Sequence, residues 1–345
     1  MSATQKDIAQ RLNLSRALVG QVLGDSPDVR VSPETRRRIV SAARELNYRP
    51  HLAARSMKSR RSLQVGALVQ NNPANRLTHP LAWEMMLGIN EGLSRSGYSM
   101  ALVRLTDVRE DDGLQAPIFR GHLLDGLIVV STIPADLEER VEALVPHCVW
   151  LDANVWRPTG CVRRDEVQAG RLATQALVDA GYRRILWPHW PRPAGDETGH
   201  YSAAQREQGM RSVAGANGVM VEEFEFPWLN AQGHFPEFEA CLRPDTAVLC
   251  LDVYVAQLVA CFLAQSGLAA GRDVALASAD DETGGPTHWV GVSHVSFDRF
   301  RLGLAAAEML LRVLGEPEAA HPSVLLPGRW EEGNTIFQRP FLNRP

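Results

Sequence analysis

Apolar segments of strand length alternate with amphipathic segments of helical length from residue 62 onward. The strand candidates are residues 63–69, 99–105, 126–131, 148–152, 184–188, 222–226, 246–251 and 273–278. Helices are predicted between them at residues 80–96, 137–145, 167–180, 202–216, 235–242, 255–266 and 300–314. Such alternation predicts an α/β fold with parallel, doubly wound sheets. Gly97-Tyr98 and Gly181-Tyr182 each follow a predicted helix and precede a predicted strand, which suggests two similar halves.

The first residues follow a different pattern, which predicts two short helices across a tight turn. Apolar positions three and four apart form the faces that pack together: Ile8, Ala9, Leu12, Leu14, Val19, Val22 and Leu23. Asn13 tolerates the left-handed conformation of a turn, and Ser15 can cap the second helix. Ser32-Pro33, a cap followed by proline at the first helical position, begins a third helix through Leu46. The pattern predicts a helix-turn-helix within a three-helix unit.

Charge is distributed unevenly along the chain. Residues 1–61 contain 13 Lys and Arg against 5 Asp and Glu, whereas the other 284 residues contain 23 against 35. A small structural subdomain with a solvated basic face would be one explanation. The combination of turn, helix cap and positive charge instead favours binding to double-stranded DNA.

The outward face of the second helix carries side chains that can read base edges. Arg16 has the donor fork that matches guanine, Gln21 can pair with adenine, and Ala17 can contact a thymine methyl group. The run Arg36-Arg37-Arg38 in the third helix suits phosphates, whose contacts position a protein without reading sequence. These features predict sequence-specific recognition by the second helix.

Residues 4–23, 31–36 and 45–50 resemble the DNA-binding head of the LacI/GalR family of bacterial transcription regulators, and residues 54–58 resemble its hinge helix. The resemblance implies a helix-turn-helix domain (1–48), a hinge helix and linker (49–61) and a two-lobed core like that of periplasmic binding proteins (62–345). The N-lobe would comprise about 62–163 and 296–324, and the C-lobe about 164–295 and 325–345. The DNA-binding residues that it implies are Gln5, Ser15, Arg16, Ala17, Gln21, Arg30, Ala54, Met57 and Lys58. Leu18, Gly20 and Gln21 depart from the family's usual Thr, Ser and Arg, which leaves the operator sequence open.

The hinge segment is too short to form a stable isolated helix in water. We therefore predict that residues 49–58 fold only when two copies meet on the operator, with Met57 wedged between base steps in the minor groove. Effector binding would change the closure of the lobes and bias this folding. An ordinary linker is the alternative, and amide exchange at 52–58 with and without operator distinguishes the two.

Ligands of doubly wound sheets bind where the strands end. By resemblance, the effector-binding residues are Asp152, Asp165, Arg206, Trp228 and Asp280. Carboxylates and a guanidinium can bind vicinal hydroxyls while tryptophan stacks on a sugar ring, so the expected effector is a sugar or sugar derivative. Each residue alone could equally be a helix cap or part of the core. Leu251, where Asn is common, and the run from Trp187 to Pro191 depart from the family pattern and could alter the pocket.

Other functions are less consistent with the sequence. The five cysteines form no CxxC pair and are expected to be buried thiols, and the histidines show no ligand spacing, so we predict no metal and no cofactor. Phosphate-binding loops and the GxSxG elbow are missing, which argues against an enzyme. A carbohydrate-active enzyme or a free-standing sugar-binding protein remains the alternative. The start lacks signal-peptide features and no apolar stretch suits a membrane span, so a cytoplasmic homodimeric regulator, most simply a repressor, is expected.

Overall fold

The computed structural model describes residues 3–24, 29–48, 61–69, 79–104, 123–189, 199–225, 236–243, 245–281 and 291–337. Its contacts divide the chain into two compact units, Met1–Ser62 and Leu63–Pro345, which we call the head and the core. Within these described ranges, no helix is long and apolar enough to cross a membrane.

The head contains three short helices: α1 (Gln5–Leu12), α2 (Arg16–Leu23) and α3 (Pro33–Glu45). Ile8, Val19 and Ile39, one from each helix, are fully buried against one another in a single small core. Arg11 of α1 pairs with Glu45 of α3 on the surface. The three helices are therefore held by one shared apolar centre.

Local hydrogen bonds define where the head helices begin. The Thr4 hydroxyl accepts from the Asp7 amide while the Asp7 carboxylate accepts from the Thr4 amide at 2.7 Å, a capping box. Asn13 has a φ of 53°, in the left-handed region, and turns the chain between α1 and α2. Ser15 and Ser32 accept backbone amides at the starts of α2 and α3. The predicted helix-turn-helix is thus present, with the predicted turn and caps.

The core consists of two six-stranded sheets. The strands are β1 (Gln64–Val69), β2 (Ser99–Arg104), β3 (Gly126–Val130), β4 (Cys148–Leu151), β5 (Cys161–Arg164), β6 (Arg184–His189), β7 (Met220–Glu225), β8 (Thr246–Cys250), β9 (Ala275–Ser278), β10 (Ser293–Ser296), β11 (Val324–Leu326) and β12 (Arg329–Glu331). The first sheet has the order β11-β5-β4-β3-β1-β2 and all its pairs are parallel. The second has the order β12-β10-β9-β8-β6-β7 and is parallel except for the β10–β12 pair.

Helices cover both faces of each sheet. They are α4 (His79–Arg95), α5 (Glu138–Leu144), α6 (Glu166–Asp179), α7 (Tyr201–Ala216), α8 (Pro236–Cys241), α9 (Val253–Gln265) and α10 (Arg299–Gly315). Helices α4 and α10 pack on one face of the first sheet and α5 on the other, and we call this layered unit the N-lobe. Helices α6 and α7 pack on one face of the second sheet, and α8 and α9 on the other, forming the C-lobe.

The chain passes between the lobes three times in its described part: from β5 to α6, from β10 to α10, and from β11 to β12. Residues near these crossings therefore lie close to both lobes. The exact domain boundaries that we expected from the sequence remain a prediction.

Glycines allow paired helices to approach closely in each lobe. A Cβ placed on Gly170 of α6 would lie 2.0 Å from the carbonyl oxygen of Arg206 in α7, and one on Gly209 would lie 2.1 Å from that of Val167. In the N-lobe, a Cβ on Gly88 of α4 would lie 2.0 Å from the Phe300 oxygen of α10. Both helix pairs are thus in backbone contact, where any larger residue would force them apart.

The structure differs from the predicted elements in two ways. Strands β5, β10, β11 and β12 were not predicted, because they are only three or four residues long and β5 ends in two arginines. One pair is antiparallel rather than parallel. Trp187 lies inside β6, within the predicted strand 184–188, and is buried against α6 and α7. All five cysteines are free, as expected, but only Cys161 and Cys250 are buried, whereas Cys148 and Cys241 are partly exposed and Cys261 is exposed.

Candidate functional sites

The head presents a polar face on α2. Arg16, Ala17 and Gln21 are exposed on this helix, whereas Val19 and Val22 are buried beneath it. Gln5 of α1 lies beside Gly20, because a Cβ on Gly20 would be 3.1 Å from the Gln5 Oε1. The exposed side chains of α2 and the Gln5 amide therefore share one surface of the head.

Further predicted DNA contacts lie around this surface. The Ser15 hydroxyl accepts the Leu18 amide at 3.1 Å, so it caps α2. Arg30, in the connection to α3, is exposed, as are Arg37 and Arg38. The predicted hinge residues Ala54, Met57 and Lys58 lie outside the described residues.

A buried cluster of charged side chains lies where the two lobes meet. Asp152 follows β4 and Arg164 ends β5 in the N-lobe, while Asp280 follows β9 in the C-lobe. Arg206 comes from α7, and Arg299 is the first residue of α10. All five side chains are at most 7% exposed, although charged residues are rarely buried unless they are paired.

Asp280 is at the centre of this cluster. Its Oδ2 accepts from Arg164 Nη1 at 2.9 Å and from Arg206 Nη2 at 2.6 Å. Its Oδ1 accepts from Arg299 Nη2 at 2.7 Å and from the Asp281 amide at 2.9 Å. A carboxylate has about four acceptor positions, so the described residues already use all of those of Asp280.

Asp152 binds the same Arg164 guanidinium from the N-lobe side. Arg164 Nε lies 3.2 Å from Oδ1 and Nη2 lies 3.1 Å from Oδ2, which is a two-pronged pair. The Tyr201 hydroxyl donates to Oδ1 at 2.5 Å, and His200 Nε2 lies 2.8 Å from the Asp152 carbonyl oxygen. Asp152 has a φ of 52°, in the left-handed region, a strained conformation of the kind that occurs at binding sites.

Two further carboxylates complete the cluster. Glu166, in the first turn of α6, accepts from Arg206 Nε at 2.7 Å and Nη2 at 2.9 Å, while Arg206 Nη1 donates to the Leu251 carbonyl oxygen. Asp281 pairs with Arg299 and also accepts from the Ser296 hydroxyl at 2.8 Å. Ion pairs therefore join the two lobes at two of the described crossings: Arg164 with Glu166 at the β5–α6 crossing, and Arg299 with Asp281 at the β10–α10 crossing.

These contacts determine the ionisation of the buried groups. Burial opposes the charge on Asp280, but Arg206, Arg299 and Arg164 outweigh it and lower the pKa of Asp280. Burial likewise opposes the charge on Asp152, whose pKa is lowered by Arg164 and His200. The pKa of His200 is lowered by burial, which favours the neutral ring. The two aspartates are thus ionised at neutral pH, and His200 is neutral.

A fourth arginine lies beside the cluster. Arg163 donates from Nε to the Ala153 carbonyl oxygen at 2.6 Å, and its guanidinium stacks 4.1 Å from the centre of the Tyr201 ring. The Trp156 ring lies 5.2 Å away on the N-lobe side. The four carboxylates of residues 152, 166, 280 and 281 are thus ion-paired with Arg164, Arg206 and Arg299, whereas Arg163 makes no ion pair among the described residues. A further carboxyl, that of Asp252, has its pKa raised by burial.

Known proteins match both units of the chain. Residues 4–51 match the family described as bacterial regulatory proteins, lacI family. Residues 62–231 match the periplasmic binding proteins and sugar binding domain of the LacI family, and residues 174–336 match a periplasmic binding protein-like domain. The ribose operon repressor of Haemophilus influenzae is 26% identical over 343 residues, which cover 94% of this chain and 96% of the relative. The chain belongs to the LacI family of bacterial regulatory proteins.

Other members of the LacI family match over similar lengths. The repressor PurR of Klebsiella pneumoniae is 25% identical over 350 residues, which cover 99% of both proteins. A structure of the lac repressor dimer, bound to operator and the anti-inducer ONPF, has a TM-score of 0.76 and 21% identity, covering 98% of this chain and 100% of that one. The predicted family and fold class are confirmed, and this LacI-family protein is a DNA-binding regulator rather than an enzyme.

The structure brings together only some of the predicted effector residues of this LacI-family protein. Asp152, Arg206 and Asp280 belong to the buried cluster, whereas Asp165 caps α6 by accepting the Gln168 amide at 2.9 Å. Trp228 lies outside the described residues. Among the members of the cluster that sequence reasoning missed are Arg164, Glu166, Tyr201 and Arg299. The Arg163-Arg164 pair directly before Asp165 was the available signal, because two arginines are unusual at the end of a buried strand.

Proposed function

We propose that the chain is a cytoplasmic, homodimeric repressor whose operator affinity is set by an uncharged, polyhydroxylated effector bound between the lobes. The observation that carries this proposal is the buried, charge-balanced cluster of arginines and carboxylates where the lobes meet. The relatives named as ribose operon repressor and PurR support the repressor role, and the lac repressor dimer bound to operator supports the dimer.

Charge balance supports an uncharged effector. Arg163 brings the number of guanidinium groups at this position to four, equal to the number of carboxylates, so a charged ligand would add net charge to the buried cluster. An unpaired buried charge costs several kcal/mol, roughly 3–5 when one partner of a buried pair is removed. Hydroxyl groups can both donate to carboxylates and accept from guanidinium groups without changing the net charge. A sugar satisfies both requirements.

The head supplies the proposed DNA contacts. Arg16, Ala17 and Gln21 would read bases in the major groove, with Gln5, Ser15 and Arg30 positioned around them. The residues Ala54, Met57 and Lys58 would contact the minor groove after the hinge folds on the operator. The exposed side chains on α2 support this assignment.

A thermal-shift screen of the full chain tests the effector. D-ribose, cellobiose and other neutral sugars should raise the melting temperature, because a ligand that binds only the folded state stabilises it. Sugar phosphates and sugar acids serve as the charged comparison. Stabilisation by the charged compounds alone would refute the uncharged effector. A stabilising sugar must also change operator affinity in a gel-shift assay; otherwise the site does not regulate DNA binding.

A further inference from the structure

Arg164 links carboxylates of both lobes. It ends β5 in the N-lobe, yet its Nη1 lies 2.9 Å from Asp280 Oδ2 and 3.1 Å from Glu166 Oε1 in the C-lobe. The other edge of the same guanidinium holds both oxygens of Asp152 in the N-lobe. The side chain is 7% exposed. A single guanidinium therefore spans the junction between the lobes.

The way in which Arg164 binds Asp152 resembles the binding of a diol. Two parallel N–H groups donate to the two carboxylate oxygens, as the hydroxyls of a vicinal diol would. Asp152 also accepts from Tyr201, so it has about one acceptor position left, and Asp280 has none. A pair of effector hydroxyls can reach Asp152 only where the guanidinium now lies.

We propose that Arg164 is an internal ligand of the effector site: it bridges the lobes in the effector-free protein, and effector binds by replacing it at Asp152. This rests on the proposed function and adds how the site is controlled. Arg164 keeps Glu166 and Asp280 as partners when it leaves Asp152. The exchange therefore leaves no buried guanidinium group unpaired. An unpaired buried guanidinium group would make the exchange prohibitively costly.

The distance between the lobes tests the bridge without any effector. Spin labels are introduced as unnatural amino acids at Glu139 and Glu237, exposed residues in the first turns of α5 and α8. Both helices follow strand ends in their lobes. Labelled full-length chain is mixed with excess unlabelled chain, so that the two labels of one protomer dominate the pulsed electron paramagnetic resonance signal.

Arg164→Gln and Glu166→Gln, which remove Arg164 and one of its C-lobe partners, should both lengthen or broaden the distance distribution of the free protein. Glu166→Gln decides the question even if Arg164→Gln folds poorly, whereas Asp152→Asn, which leaves both C-lobe partners of Arg164 in place, should keep the wild-type distances. Arg157→Gln is the matched control, because Arg157 pairs with Glu142 inside the N-lobe. Unchanged distances in both test variants, or equal lengthening in the control, would overturn the bridge. The result does not depend on which effector binds.

Chemical rescue tests the description of Arg164 as a ligand. In Arg164→Ala, millimolar methylguanidinium should restore the wild-type distance distribution by occupying the position of the missing side chain. The same addition should leave the Arg157→Ala protein unchanged. Lengthening without rescue would show that the guanidinium group holds the lobes only when it is covalently attached to β5. The proposed exchange with effector would then be refuted.

Discussion

Replacing Asp280 with asparagine should destabilise the core strongly. The carboxylate is 3% exposed and accepts four hydrogen bonds, three of them from arginines. Asparagine is neutral and turns an amide N–H₂ group toward guanidinium donors, so all three arginines lose the negative charge of this partner. Removing one partner of a buried ion pair costs about 3–5 kcal/mol, and we expect Asp280→Asn to lower the free energy of unfolding by that amount.

Glu91→Gln is the matched control for this prediction. Glu91 pairs with Arg95 one turn away on α4, with side chains 45% and 65% exposed, and such surface pairs contribute about 0.3–0.5 kcal/mol. Urea unfolding of the core, followed by tryptophan fluorescence, gives both values. A loss below about 1 kcal/mol for Asp280→Asn would show that the cluster is solvated or rearranges freely, and the buried network would be refuted. A large loss means that Asp280 variants contain less folded protein. Effector binding by these variants must then be compared with their measured stability.

Three further results are expected. Arg16→Ala should relax specificity at one operator base pair and cost about 1–3 kcal/mol, whereas Arg37→Ala should weaken binding to all sequences, which fluorescence anisotropy with specific and random duplexes distinguishes; equal losses would refute base reading by Arg16. Gly170→Ala should lower the melting temperature because its Cβ meets backbone, while Gly215→Ala, where nothing lies within 4 Å, should raise stability by up to about 1 kcal/mol. The lowered pKa of His200 means that its neutral form stabilises the fold above pH 6.5, the usual value, and that this stability is lost as pH falls. In urea titrations at a series of pH values, His200→Gln should remove the part of the pH dependence of the unfolding free energy that His200 causes. It should not change the loss of stability below the usual aspartate pKa of 3.8 that Asp152 and Asp280 produce.

The sequence predicted most of the architecture because its signals are local. The helix caps at Ser15 and Ser32 and the alternation of apolar segments depend on residues close together in the chain. The short strands at the lobe crossings were not predicted, because three or four residues carry too little periodicity.

The candidate site was predicted only in part, since its contacts join distant residues. Asp152, Arg206 and Asp280 were found through the family resemblance, but nothing near them in the chain indicates that Arg164 would bind two of them. Arg299 is 19 residues from Asp280 and reaches it only because β10 and α10 meet at a crossing. Which carboxylate pairs with which arginine is decided by tertiary structure.

The glycine contacts between paired helices have a mechanical consequence for the cluster. The carbonyl oxygen that faces Gly170 belongs to Arg206, and the one that faces Gly88 belongs to Phe300, next to Arg299. No layer of compressible side chains separates the helices at these points, and close-packed protein transmits displacement instead of absorbing it. A ligand that displaces Arg206 or Arg299 must therefore move both helices of the α6–α7 or the α4–α10 pair together. A small shift at the junction thus becomes a movement of the whole helical layer on one face of the lobe.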